Sequence, residues 1–149
     1  MILNTIDNVK LIDLKVINSH NAKINILENI DKYFIPKRIF TVVIQRYKED
    51  ERGRHAHKID HQIVSCPFGS IKFTVKDGIN SKTFHIESQS KIIYVPSHIW
   101  TETNYLQNNT IVTCYCSHNY NEKSYIRNYE EFLKLEDYEK LLISPITFL

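Results

Sequence analysis

Apolar residues recur along this chain in short runs separated by turn residues. Ile71, Phe73 and Val75 alternate with Lys72, Thr74 and Lys76, the period of two that buries one face of a β-strand and leaves the other wet. Asp77-Gly78 comes next and predicts a tight hairpin turn, because glycine accepts the positive φ such a turn requires. Similar runs predict strands over 9–17, 24–27, 38–46, 54–58, 61–66, 70–76, 82–87, 91–95 and 110–117. Closely spaced strands with no helices between them are the pattern of an all-β sandwich or barrel. The pattern changes in NEKSYIRNYEEFLKLEDYEKLLI, where Tyr125, Ile126, Tyr129, Phe132 and Leu133 fall at helical spacing. One or two helices are therefore expected over about 122–143, laying an aromatic stripe against a barrel that occupies about 1–118. The 149 residues suit one domain, long enough to bury about two thirds of the unfolded surface.

Charge adds exclusions. The formal net charge of +2 comes from interspersed acids and bases, so no single-sign block predicts a nucleic-acid or membrane partner. Lys37-Arg38 and the stretch from Lys48 to Arg54 are basic, but Glu49, Asp50 and Glu51 interrupt the second, which reads as a solvated loop. The modest basic bias suits a small anionic ligand. Cys66, Cys114 and Cys116 are an odd count without a disulfide framework, and Asp7 and Asn8 break the apolar opening; together these point to the cytoplasm. No apolar run approaches the roughly 18 to 20 residues needed to span a bilayer.

The candidate chemistry sits in GRHAHKIDHQIVSCPFG, residues 53–69. In a strand, residues two apart share a face about 6.5 to 7 Å from each other, so His55 and His57 can reach one ligand. A lone histidine is usually structural; the doublet flanked by Arg52 and Gly53 argues for a shared role. Cys114, Cys116 and His118 also alternate along one strand. Zinc patterns draw ligand pairs from turns instead, and free cysteines behave as small buried hydrophobes. His20, His85 and His98 stand alone and read as structural or surface residues.

HAHKIDHQIVSCPFG resembles the first cupin motif, and YVPSHIWTE the second. The metal-binding form of that pattern would need a Glu where Gln62 stands and a His where Thr101 stands. Neither an amide nor a hydroxyl is a strong ligand for a divalent transition metal, so no metal is expected; His61 substitutes only if the strand register shifts. More broadly, the chain is similar to the sugar 3,4-ketoisomerases that act on a dTDP-linked 4-keto-6-deoxyhexose, a cupin family without a catalytic metal. The likeness runs through RIFTVVIQRYKEDERGRHAHK, VPSHIW and YNEKSYIRNYEEF, with a weaker match in LIDLKVINSHNAKINILE. RGRH also resembles the 3,5-epimerases of the same substrate.

The resemblance implies an all-β, cupin-type double-stranded β-helix, or jelly roll, with no cofactor, to which the C-terminal helices expected above are added; a homodimer is expected because such small barrels commonly pair sheets or exchange an edge strand. It implies an isomerase that moves the keto group from carbon 4 to carbon 3 through an enediol. The product would feed synthesis of a 3-amino-3,6-dideoxy sugar for a cell-surface glycan such as lipopolysaccharide O-antigen. His55 is then the base and shuttle, an assignment helped by the near-neutral pKa of imidazole. His57 polarises or protonates the carbonyl, or holds the sugar. Arg52 is the first candidate for the pyrophosphate, followed by Arg46 and Lys58, since cations with several donors suit phosphate oxygens. Trp100 and Tyr94 are candidates for the pocket wall and Gln62 for its floor. Asn21 and Thr101 stand where the family carries other residues bordering the sugar. The alternatives are a 3,5-epimerase, a metal-dependent cupin and a non-catalytic sugar-binding cupin.

Overall fold

The computed structural model describes residues 4–48, 52–87 and 89–135. Its strands are β1 (Lys10–Asp13), β2 (Lys15–Asn18), β3 (Lys23–Ile26), β4 (Arg38–Ile44), β5 (Arg52–His57), β6 (Gln62–Phe68), β7 (Ile71–Lys76), β8 (Ser81–Ile86), β9 (Lys91–Val95), β10 (Trp100–Tyr105), β11 (Thr110–Cys116) and β12 (Tyr125–Ile126). They form one five-stranded sheet in the order β1-β9-β6-β11-β4, another in the order β12-β5-β10-β7-β8, and a separate β2-β3 hairpin. Neighbouring strands are antiparallel in both large sheets. Side chains from both, including Val64, Ile71, Phe73, Val75, Ile93 and Val112, make the buried core. This is the expected all-β jelly roll. Among the described residues no helix is long and apolar enough to cross a membrane.

The alternating stretch behaves as its pattern requires. Ile71, Phe73 and Val75 are buried on β7, and the β7-β8 hairpin pairs Lys76 with Ser81. Its loop is four residues long, wider than a two-residue turn. Asp77 Oδ1 accepts the amides of Ile79 and Asn80, and Gly78 takes φ +87°.

Three expectations need correction. The strand expected over 9–17 divides at Leu14, whose N–H donates to the Ser90 carbonyl. Strand β10 was not anticipated, and the reason is physical. Its inward residues Thr101, Thr103 and Tyr105 line a cavity, so polar residues occupy the face that would otherwise carry apolar alternation. The tail is not helical from 122: Tyr125 and Ile126 form β12, paired with His57 and Ala56 of β5. Asn128 caps a helix, α1, its side chain accepting the Glu131 amide and its carbonyl accepting the Phe132 amide. Helix α1 is described over 129–135; the remainder of the segment expected to be helical lies outside the described residues. Tyr129, Phe132, Leu133 and Leu135 pack with Ala56, Trp100 and Ile126 in a second apolar cluster.

Candidate active site

Strand β5 carries the histidines, and a bulge aims it. Thr101 of β10 pairs with His55, but Thr103 pairs with Arg52. Two steps along β10 thus match three along β5, so one extra residue is accommodated in β5. Gly53 makes this feasible with φ +77°, a conformation that costs a side-chain-bearing residue roughly 1–2 kcal/mol. A Cβ there would also lie 3.0 Å from Thr103 Oγ1. The extra residue changes parity: Arg52 and His55 are an odd number apart, yet both line the same cavity. Thr101 fixes the arrangement through its hydroxyl, which lies 3.2 Å from the Gly53 carbonyl and 3.3 Å from that of His55. The His98 amide donates to the His57 carbonyl at 2.7 Å and pins the end of the strand.

The cavity measures about 330 Å³, within the usual range of small-ligand sites. Its polar lining includes Arg52, His55, Gln62, Thr101, Tyr125 and Arg127, and its apolar lining includes Phe40, Val42, Val64, Phe73 and Val112. His55 Nε2 and His57 Nε2 are 3.1 Å apart, with the rings nearly perpendicular at 88°. One ring must therefore donate its N–H to the lone pair of the other. His57 is buried, and its Nδ1 has no hydrogen-bond partner among the described residues.

Burial, reinforced by Arg127, lowers the His55 pKa to about 4, with Glu122 opposing. Burial also lowers His57, to about 3, helped by His55, Arg38 and Arg127. Both imidazoles are consequently neutral at cellular pH, the form in which a ring nitrogen can accept a proton. Arg127 is itself held by Glu122, with Nε and a terminal nitrogen at 2.7 and 3.0 Å from its carboxylate oxygens. That pairing and the Tyr120 hydroxyl hold the Glu122 carboxyl down to about 2.

The remaining sequence candidates distribute unevenly. Gln62 lines the cavity and its Nε2 donates to Cys116 Sγ at 3.5 Å. Asn21 is exposed between β2 and β3, and Lys58 is exposed after β5; neither lines the cavity. Arg46 lies instead in a shallow depression with Tyr47, Lys48 and Asn108. Trp100 is buried in the second apolar cluster, its Nε1 donating to Glu102. Tyr94 packs on Tyr33 and Phe34 and its hydroxyl meets His61 Nδ1 at 3.0 Å, so neither Tyr94 nor His61 reaches the histidine pair. Among the described residues, no three or more His, Cys, Asp or Glu side chains converge as metal ligands. Cys114 and Cys116 are buried, and burial pushes both thiols up.

Sequence reasoning did not single out Arg38 or Arg127 for the site, and it read Tyr125 as helical packing. Tyr125 and Arg127 lie inside SYIRNYEEF, whose first residues fold as β12 against the histidine strand. That long-range pairing leaves no local periodicity to detect.

Fold and site together define a cupin-type barrel with paired imidazoles beside an internal cavity. Comparison with known proteins goes further: residues 7–137 match the family described as FdtA, WxcM-like, C-terminal, and the chain belongs to it. A TDP-4-oxo-6-deoxy-alpha-D-glucose-3,4-oxoisomerase from Aneurinibacillus thermoaerophilus is 30% identical over 120 residues, covering 80% of this chain and 86% of that protein. The crystal structure of a 3,4-ketoisomerase from Helicobacter canadensis superposes with a TM-score of 0.81 at 27% identity, over 87% of this chain and 98% of the other. A histidine-to-asparagine mutant of the ketoisomerase from Thermoanaerobacterium thermosaccharolyticum, in complex with TDP-4-keto-6-deoxyglucose, matches with a TM-score of 0.81 and 27% identity. It covers 90% of this chain and 97% of its own.

Proposed function

We infer that this protein is a sugar-nucleotide 3,4-ketoisomerase, moving the carbonyl of a dTDP-linked 4-keto-6-deoxyhexose from carbon 4 to carbon 3. The observation that carries this reading is the neutral imidazole pair, 3.1 Å apart, with His55 facing a cavity of about 330 Å³. Isomerisation needs only proton transfers: the carbon 3 proton leaves, an enediol forms, and carbon 4 is protonated. His55 is the base that takes the first proton and returns it. His57, one layer deeper, accepts or supplies charge through their shared hydrogen bond. General acid–base groups positioned in this way contribute typically about 10² to 10⁴ in rate.

Arg52 lines the cavity and suits the diphosphate, because a guanidinium fork pairs with phosphate oxygens in two-point, charge-assisted bonds. Arg127 lines the same cavity and provides a second cation. The apolar lining from Phe40, Val64 and Phe73 matches the 6-methyl group of a deoxyhexose. Gln62 hydrogen-bonds a sugar hydroxyl from within, and Thr101 acts through the backbone it holds.

The protein works as a cytoplasmic homodimer. Exposed Ile39 and Val43 on edge strand β4, and Ile17 and Ile24 on the β2-β3 hairpin, support a second copy covering these faces. The product, a 3-keto sugar, is the substrate class for an aminotransferase that makes a 3-amino-3,6-dideoxy sugar for cell-surface glycan, O-antigen included. Incubation with dTDP-4-keto-6-deoxyglucose in deuterium oxide, followed by NMR, tests the reading. A 3-keto product with no label at carbon 5 is expected, and its absence with His55→Asn. Label at carbon 5 would point to epimerisation, and binding without turnover to a non-catalytic cupin.

A further inference from the structure

The histidine pair presents one working edge to the sugar. His57 spends its Nε2 on His55, its Nδ1 is buried without a hydrogen-bond partner among the described residues, and only His55 of the two lines the cavity. The reaction nevertheless handles protons at four atoms. The carbon 3 proton leaves perpendicular to the carbonyl plane, whereas the carbonyl oxygen receives its proton within that plane. One imidazole edge cannot serve both directions at once.

Tyr125 is the lining residue whose ring meets both imidazoles, at centroid distances of 5.1 Å to His55 and 4.5 Å to His57. A terminal nitrogen of Arg38 donates to its hydroxyl oxygen at 3.4 Å. Since a guanidinium only donates, the phenolic hydrogen is not used in that bond. Arg38 is held in turn by Asp60, 3.5 Å away and buried. Asp60 is fixed by the Ser117 hydroxyl and the His118 amide, each at 3.0 Å. Of the other protic groups in the lining, the Thr101 hydroxyl is committed to the β5 carbonyls, and Gln62 spends one N–H on Cys116.

We propose that the Tyr125 hydroxyl is the second proton-transfer group of the reaction, serving the two sugar oxygens while the histidine pair serves the two carbons. This rests on the ketoisomerase reading above. In the first half, His55 takes the carbon 3 proton, the C–H electron pair becomes the new C=C bond, and Tyr125 gives its proton to the oxygen on carbon 4. The site then holds an enediol, an imidazolium and a phenolate beside the Arg38 cation. In the second half, the phenolate removes the proton from the oxygen on carbon 3, the carbonyl forms there, and His55 returns its proton to carbon 4. Both groups finish as they began. Arg38 is a positioning residue, acting through Tyr125.

The groups facing Tyr125 are His55 and His57 on β5, Arg38 on β4, Tyr120 beyond β11 and Arg127 beyond β12. The test begins with Tyr125→Phe, which keeps the ring against the histidines. Turnover is expected to fall about 10²-fold or more, with KM for the dTDP-sugar and Kd for TDP within about threefold. Fluorotyrosine at position 125, a stronger acid of the same shape, moves the alkaline limb of the kcat profile to lower pH, and Arg38→Met lowers kcat while leaving KM for the dTDP-sugar nearly unchanged. Tyr125→Phe with turnover within threefold of the wild type, or an alkaline limb that fluorotyrosine leaves in place, overturns the proposal. Should Tyr125→Phe fail to fold or bind, the fluorotyrosine profile decides alone. A wild-type protein that does not isomerise the sugar sinks the ketoisomerase reading instead, so the two failures are separable.

Discussion

The two faces of the β5-β10 layer are made by the same strands and do opposite things. On the inner face, His55, Thr101 and Thr103 border the cavity, and the neighbouring His57 carries a buried nitrogen with no hydrogen bond among the described residues. On the outer face, Ala56 and Trp100 are buried with Ile126 and Phe132, and the one polar atom of the indole is satisfied by Glu102. The outer face obeys the ordinary rule that buried apolar surface stabilises, at about 25 cal/mol per Å². The inner face forgoes part of that gain: desolvated imidazoles lose the protonated form they would hold in water near their ordinary pKa. A strand with period two lets one layer do both, because alternate side chains answer to different solvents.

Substitutions on opposite faces should separate activity from stability, and the largest effects come from the two centres. His55→Asn lowers turnover about 10³-fold while leaving the urea midpoint nearly unchanged. Phe132→Ala costs about 3–5 kcal/mol in urea unfolding, with kcat of the remaining folded protein within about twofold. If the two variants affected turnover alike, the division between faces would be lost.

Next comes Gly53→Ala, which probes the bulge that joins the faces. An imposed positive φ costs about 1–2 kcal/mol, and the added Cβ meets Thr103 Oγ1 at 3.0 Å. The expected result is about a tenfold fall in kcat/KM, expressed mainly in KM because Arg52 is re-aimed. Steady-state kinetics on the variant check it.

A further effect is on pH dependence. Both histidines have folded values below the ordinary 6.5, about 4 and about 3, so below pH 6.5 the unfolded chain binds protons that the folded chain refuses. Their neutral pairing is compatible with full stability above about 6.5, and stability is lost as pH falls towards 4. Urea midpoints measured from pH 7 to 4 should fall more steeply in the wild type than in the double variant His55→Asn, His57→Asn. The kcat/KM profile should stay level through pH 6.5 and decline only near 4; a decline centred at 6.5 would mean that burial does not control the base.

How much of this was legible depends on which face a residue serves. The core strands announced themselves, as in Ile71, Phe73 and Val75, because dry apolar packing writes its period directly into the sequence. Strand β10 did not, since Thr101 and Thr103 face a cavity instead of the dry core; their β-branched shape was the available signal. Histidines 55 and 57 were legible as a same-face pair. The involvement of Tyr125 was hidden by an overlap of patterns: its spacing from Tyr129 and Phe132 fits one helix face, while hydrogen bonds to β5 hold it in a strand. Asn21 was suggested by the family resemblance and Arg46 and Lys58 by their charge, and neither signal encodes which way a loop side chain faces; none of the three lines the cavity.

The surplus residue at Gly53 makes chain length a constraint at this site, separate from residue identity. Deleting one position between Arg52 and Arg54 would straighten the strand, rotate the arginine to the opposite side, and leave both histidines in register with Thr101. Such a shortened protein would retain its paired imidazoles and lose from the cavity the cation proposed above for the diphosphate. Insertions and deletions at these three positions should therefore be selected against even where the composition is preserved.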